Sequence, residues 1–538
     1  VSRRRSPAAA PPGLAAAIVA ARFSISLSRE EGVMVSASRR ARVVGALSGA
    51  LSGIVLGGFA FFSIRSGAPA VEMIAGREGT TLAVSGRPSL LKAVLPPRPG
   101  HALGFTWVFG DGSPAVSGTV ADPHAVSASH LYPASPAGTV FAAHLTITDA
   151  VDGTRATGAT EVRVVEPTLE NRTTIALDDG LWALHASMIR VEDPVEGSIG
   201  YWNRETYPTG STAMAALAFE VNGFDSRASR RSPYRETVDR ALRYLVSRCR
   251  PSRIADAGPK QVVIALDDWY RLLYELPLVS MALTASQDPA AIATNGPEGI
   301  RGKTRRELVA GMIDCIAFAQ NRESSWRGGW RYMPRGECSD TSVTQWPVLA
   351  CMSAREVFGI ETPASIAGEL AGPFLGHVQG ADGGFGYLTA TDRPSVRLTG
   401  AGLIALRFAG VPASDERVVR ATSYVAKHWE TENVGDSYAM YTIMKAAKLS
   451  GEAIETFGVH DWRQEYGERL CRIQNADGSW PARSGNDVGA LATCWPTLTL
   501  SKDVFFTARP LTPGGLLPVL VLPPIGLLAL LAFRRRAR

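Results

Sequence analysis

The sequence predicts a multidomain chain in which a β-sandwich precedes an all-α (α/α)6 toroid, with N- and C-terminal transmembrane segments. Three observations carry that class. Two apolar runs free of charge lie towards the ends, each beside a cluster of arginines. About 95 residues behind the first run consist of short β-prone stretches separated by Gly, Pro, Asp and Ser. The remainder alternates amphipathic helical stretches with uniformly apolar ones.

At 538 residues the chain exceeds one ordinary core, and 46% hydrophobic with 20% charged residues excludes a disordered or collagen-like polymer. The net charge of +6 does not point to nucleic acid, because residues 1–42 and 534–538 hold twelve Arg against two Glu and leave 43–533 at −4. No nucleic-acid partner is expected.

Residues 1–42, rich in Ala, Arg, Ser and Pro, read as a disordered basic tail. Residues 43–64 carry no charge and follow Arg39, Arg40 and Arg42, the length and flank of a transmembrane helix or signal anchor. A long signal peptide cleaved near Ala68-Pro69-Ala70 is the alternative. Residues 516–533 repeat the pattern ahead of Arg534, Arg535, Arg536 and Arg538, although Pro518, Pro523 and Pro524 interrupt it; a transmembrane or sorting segment is expected. With both basic ends inside, the bulk of the chain is expected to be membrane-anchored and extracytoplasmic, at the cell envelope or surface, with the membrane as a partner. Six cysteines without a C-x-x-C read mainly as buried apolar residues.

The β-sandwich spans 71–166, with strands at Thr81–Val84, Phe105–Phe109 and His144–Thr148. Trp107 and Phe109 alternate onto one face, and Asp111-Gly112 supplies a turn. Trp107-Val108-Phe109-Gly110-Asp111-Gly112-Ser113, then His130-Leu131-Tyr132, Phe141 and Leu145-Thr146-Ile147-Thr148-Asp149, resembles the PKD domain, which implies an Ig-like spacer or adhesion module.

The helical domain spans 170–503. Apolar helices are expected at 210–221, 269–285, 341–356, 395–410, 435–449 and 487–500, each behind a more charged one such as 235–248, 303–321 or 415–429. Six such pairs make an inner ring shielded by an outer one. Three frames of the form Q-x-x-x-x-x-aromatic recur: Gln320 to Trp326, Gln379 to Phe385 and Gln474 to Trp480. The last resembles the QW repeat of squalene-hopene and other triterpene cyclases. Gly328 to Tyr332 and Asp340 to Thr344 resemble the wider prenyltransferase and squalene-oxidase repeat proteins. The resemblance implies a terpenoid-cyclase-like fold in which the Gln segments are structural.

The chemistry of those families is not matched. No D-x-D-D acid is present; the nearest candidates are Asp178-Asp179, Asp267-Asp268 and Asp340, with Asp340 and Asp268 the candidate catalytic acids. Cys338-Ser339-Asp340 with His377 reverses the D-x-C order of the zinc-dependent prenyltransferases, so no metal and no cofactor is expected. The candidate ligand-binding set is Trp330, Arg331, Tyr332, Asp340, Trp269, Tyr387 and Arg397, joined by Tyr270 and Trp346, suited to stacking and bidentate contacts. The functional expectation is binding of a ligand or envelope partner (polysaccharide, protein or isoprenoid); the alternative is an isoprenoid- or polysaccharide-directed enzyme in the ring cavity.

Overall fold

A computed structural model describes residues 70–503, apart from 77–78, 204–206, 225–231, 254–261, 324, 452–453 and 483–487. Its first part holds strands β1 (Glu72–Ile74), β2 (Thr81–Val84), β3 (Ser89–Val94), β4 (Leu103–Val108), β5 (Val116–Thr119), β6 (Val126–His130), β7 (Val140–Asp149) and β8 (Arg155–Val165). They form a three-stranded sheet ordered β1-β3-β6 and a five-stranded sheet ordered β2-β8-β7-β4-β5, all antiparallel except β2 with β8. Leu91, Ala93, Trp107, Phe109, Leu145 and Ile147 fill one core. Beyond β4, Gly112 adopts φ +83°, which glycine tolerates without a Cβ clash. Asp111 accepts from the Ser113 N–H at 3.0 Å and lies 2.7 Å from His130 Nε2. The His130 ring stacks on Phe109 at 3.8 Å, so the Trp-to-Ser run and the later His–Tyr pair close one structural knot.

The second part contains α1 (Leu169–Ala186), a hairpin of β9 (Ile189–Asp193) and β10 (Gly197–Tyr201), α2 (Pro208–Glu220), α3 (Arg235–Ser247), a hairpin of β11 (Cys249–Arg253) and β12 (Val262–Leu266), α4 (Leu272–Ala285), α5 (Arg305–Ala319), α6 (Thr341–Phe358), α7 (Ala364–Glu369), α8 (Leu375–Val378), α9 (Val396–Phe408), α10 (Glu416–Lys427), α11 (Ser437–Leu449), α12 (Trp462–Ile473) and α13 (Leu491–Leu500). Helix α2 packs on α4, α4 on α6, α6 on α9, α9 on α11, α11 on α13, and α13 returns to α2. These six are buried nearly all round, as apolar helices with little amphipathic asymmetry must be. Around them α3 lies on α2, α5 on α4, α10 on α9, and α1 on α12 and α13. The strongly amphipathic α3 and α10 turn one apolar face inward.

The expected class is corrected by these elements. The protein is a mixed helix-and-sheet structure: hairpins β9–β10 and β11–β12 are inserted between outer and inner helices, so the second part is not an all-α toroid. The transmembrane segments gain no support either. Among the described residues no helix is long and apolar enough to cross a membrane, and the runs 43–64 and 516–533, with the tail 1–42, lie outside those residues.

The strand module docks on α1 and α12. Lys92 of β3 pairs with Asp179 at 2.5 Å, Arg87 donates to the Cys471 carbonyl at 3.2 Å, and buried His185 contacts the His124 carbonyl at 2.8 Å.

Candidate functional site

The Gln frames explain how the ring joins are made. Gln320, Gln379 and Gln474 each stand at the C-cap of an outer helix, α5, α8 and α12, in extended backbone. Each carboxamide donates twice. Gln320 reaches the Gly328 and Ile366 carbonyls at 2.8 and 3.0 Å, Gln379 those of Gly383 and Arg417 at 3.1 and 2.8 Å, and Gln474 those of Gly478 and Ala176 at 2.9 and 2.7 Å. One bond holds the frame's own loop and the other a neighbouring outer helix. Gly328, Gly383 and Gly478 all have φ near +90° and lie where a Cβ would come within 2.4 Å of a neighbouring backbone oxygen, so only glycine fits.

The aromatic that closes each frame donates its backbone N–H to a threonine of the following inner helix: Trp330 to Thr344, Phe385 to Thr399 and Trp480 to Thr493. The first frame therefore ends on Trp330, not on Trp326; its loop is longer, and Trp326 instead donates to the Leu388 carbonyl at 2.9 Å. Trp202, which follows a hairpin and no Gln, makes the same bond to Thr212. Trp330, fully buried, also donates through Nε1 to the Ile316 carbonyl at 2.8 Å. It is a wedge between helices and is removed from the ligand-binding set.

The middle of the ring is filled. Trp346 stacks on Trp495 at 6.1 Å and on Tyr441 at 6.2 Å, and meets Tyr274 edge-on at 5.7 Å, with all but Tyr274 buried. Glu275, 4% exposed, accepts from the Gly210 N–H at 3.1 Å and so satisfies the otherwise uncapped start of α2. Burial raises its carboxyl to about 7.

At the start of the inner helices the remaining candidates do come together. Asp340 is fully buried at the N-cap of α6, where Oδ1 accepts from the Val343 N–H and the Ser342 hydroxyl, both at 2.8 Å. Its Oδ2 accepts from the Tyr387 hydroxyl at 3.3 Å and faces Arg331 Nε at 3.7 Å. Burial raises the Asp340 carboxyl, while these donors and Arg331 oppose the rise. Tyr332 shares a hydrogen bond with Tyr387, and its ring lies 6.4 Å from Tyr274, which in turn lies 6.4 Å from Tyr207. Arg271 sits 4.2 Å over Tyr207. Arg397 pairs with Asp436 and lies 5.8 Å from the Tyr438 ring. Trp269, 47% exposed, and Tyr270, 71% exposed, flank this rim on the turn that enters α4.

The other acids do not join it. Asp268 is exposed and accepts from the Tyr270 N–H at 2.9 Å, Asp267 pairs with Arg248 at 3.0 Å, and Asp179 is held by Lys92. Asp268 is thus a turn residue, and α4 begins at Leu272, three residues beyond the expected start. Cys338 accepts a hydrogen bond from Arg331, and among the described residues Cys338, Asp340 and His377 do not form a group able to share a metal ion. Five of the six cysteines are buried.

Tyr207, Tyr274, Arg271 and Asp436 belong to the rim without a motif that marks them in the sequence; behind them the buried Gln345 donates to the buried Tyr438 hydroxyl at 2.6 Å. The available signal is positional, since Tyr207, Tyr274 and Tyr438 fall within one turn of an inner-helix start.

No family model and no curated protein matches this sequence. Solved structures that resemble the chain include Escherichia coli alpha-2-macroglobulin in its native conformation, at 10% identity and TM-score 0.28, covering 81% of this chain and 26% of that one. A native crystal form of that protein running from domain MG7 to the C-terminus matches at 11% identity and TM-score 0.29, covering 80% and 65%. The form activated by porcine elastase matches at 11% and 0.23, covering 75% and 31%. This chain spans less than two thirds of each. At these scores the likeness carries no argument. No family model assigns a PKD domain, a prenyltransferase repeat or a squalene cyclase to this chain, so those expected memberships gain no support.

Proposed function

We propose that the rim formed by Tyr207, Tyr274, Tyr332, Tyr387, Arg271, Arg331 and Arg397 is a non-catalytic recognition surface for a neutral oligosaccharide segment. One observation carries the reading: Asp340, the acid at the centre of the rim, is spent on capping α6 and on holding Tyr387 and Arg331, so what faces solvent is aromatic faces and fixed donors. Arg331 and Arg397 are each matched by a carboxylate, Asp340 and Asp436, which favours a ligand without net charge. A sugar ring offers an apolar face for tyrosine and hydroxyls for guanidinium donors. An isoprenoid chain would need an apolar tunnel, and Trp346, Tyr441 and Trp495 occupy the ring's middle.

Calorimetric titration with soluble chitohexaose, cellohexaose and maltohexaose tests the proposal. At least one is expected to bind, with Tyr387→Ala and Trp269→Ala each lowering affinity about tenfold, the scale of one lost stacking contact. Absence of binding by all three at millimolar concentration, or equal affinity in both variants, overturns it.

A further inference from the structure

We infer that Glu430, His460 and Glu465 form a binding site for a divalent cation of the zinc class. One ligand atom from each side chain lies within 4.8 Å of the others, and His460 Nδ1 is 3.0 Å from Glu465 Oε1. A metal bonded at about 2.1 Å separates neighbouring donors by roughly 3.4 Å. The His460–Glu465 edge is already near that spacing, and only Glu430, on the exposed side, has to close.

The surroundings hold the donors in place. The His460 ring stacks on Trp429 at 4.8 Å with an interplanar angle of 12°, and its backbone pairs in both directions with Phe457 at 3.1 Å. Trp429 donates its Nε1–H to Glu465 Oε2, which leaves Oε1 for a ligand. Such outer contacts fix the orientation of metal ligands. Trp429 to Asn433 forms a π-helical stretch, a widened turn that recurs at functional sites, and it carries Glu430 towards the loop before α12.

A second cluster gives the contrast. His101, Asp149 and Asp152 satisfy the same spacing, but the Arg98 guanidinium pairs with both carboxylates and fills the cation's place. Among the described residues no Lys or Arg forms an ion pair with Glu430 or Glu465. Two carboxylates with a neutral imidazole suit zinc over magnesium or calcium, which prefer all-oxygen shells. Three protein ligands leave a further position to water. A bound ion would tie the turn after α10 to the first turn of α12.

The test titrates the full chain with Zn2+, with Mg2+ and Ca2+ as controls, and follows melting in parallel. One Zn2+ per chain and a raised melting temperature are expected, with affinity lowered about tenfold or more in Glu430→Gln and His460→Ala. Glu430 is exposed, so Glu430→Gln should melt as the parent does without metal, which keeps the test decisive even if His460→Ala folds poorly. Lack of Zn2+ binding shows that His460 and Glu465 make a hydrogen bond only. Equal binding by Glu430→Gln places the ion elsewhere. Either result overturns the inference.

Discussion

The middle of the helical ring and its rim use the same residue types for opposite ends. In the middle, Trp346, Tyr441 and Trp495 are sealed against one another, each ring packing on the other two. At the rim, Tyr207, Tyr332 and Tyr387 are half-buried, with the Tyr332 and Tyr387 hydroxyls bonded to each other, Tyr387 also donating to Asp340, and Arg271 lying over the Tyr207 ring. Aromatic residues packed on all sides stabilise; aromatic residues anchored from below remain available to a ligand. The difference lies in whether each residue falls inside an inner helix or in the segment that leads into one.

Replacing Trp346 with Ala should break the first half of this comparison most severely. It removes a stacked, fully buried indole, and a loss of about 3–5 kcal/mol is expected in denaturant unfolding. A loss below about 1 kcal/mol would mean that the middle is not the stabilising element.

Glu275 gives a pH-dependent test of the same interior. Its folded value of about 7 lies above the ordinary 4.5, so the native state holds the proton more tightly than the unfolded chain does. That contribution is complete below pH 4.5 and is lost as pH rises through 7. Glu275→Gln keeps an acceptor for the Gly210 N–H but cannot ionise. It should raise stability at pH 8 by up to about 3 kcal/mol relative to the parent and flatten the stability profile between pH 4.5 and 7. An unchanged profile would show that Glu275 is not ionising inside the ring.

Gln379→Ala probes the joints between repeats. It leaves the Gly383 and Arg417 carbonyls without this donor, and about 1–3 kcal/mol should be lost in thermal or denaturant unfolding. The smallest effect belongs to the rim: Asp340→Ala removes a helix cap for about 1 kcal/mol, whereas Asp340→Asn should retain most of the cap. If Asp340→Ala cost as much as Trp346→Ala, the division between interior and rim would be wrong.

Helices are legible where apolar residues run without a break, as in Met214 to Phe219, and where periodicity is strong, as in α3 and α10. The hairpins were not read, although Ile189 and Val191 alternate with charged residues ahead of Asp193-Pro194, and Val262 to Leu266 is a short β-prone run. Both hairpins stand where other repeats have a Gln loop, so the helical alternation on either side masks them. Within the site, Arg331, Tyr332, Asp340 and Tyr387 were found because they lie in or near the glycine-rich loops. Tyr207, Tyr274 and Tyr438 sit at the starts of different helices, 67 to 231 residues apart, and only the closing of α13 on α2 gathers those helices into one ring. Trp330 shows the reverse error: a tryptophan in a polar loop reads as a ligand platform, while its Nε1–H is committed to Ile316 and its ring to the core.

The most direct test of the central claim compares oligosaccharide binding and unfolding in one pair of variants, Tyr387→Ala at the rim and Tyr441→Phe in the middle. The account predicts that Tyr387→Ala weakens binding about tenfold and costs no more than about 1–3 kcal/mol, the scale of a lost buried hydrogen bond, while Tyr441→Phe leaves affinity unaltered. Weakened binding in Tyr441→Phe with unaltered binding in Tyr387→Ala would place the ligand inside the ring and contradict the account.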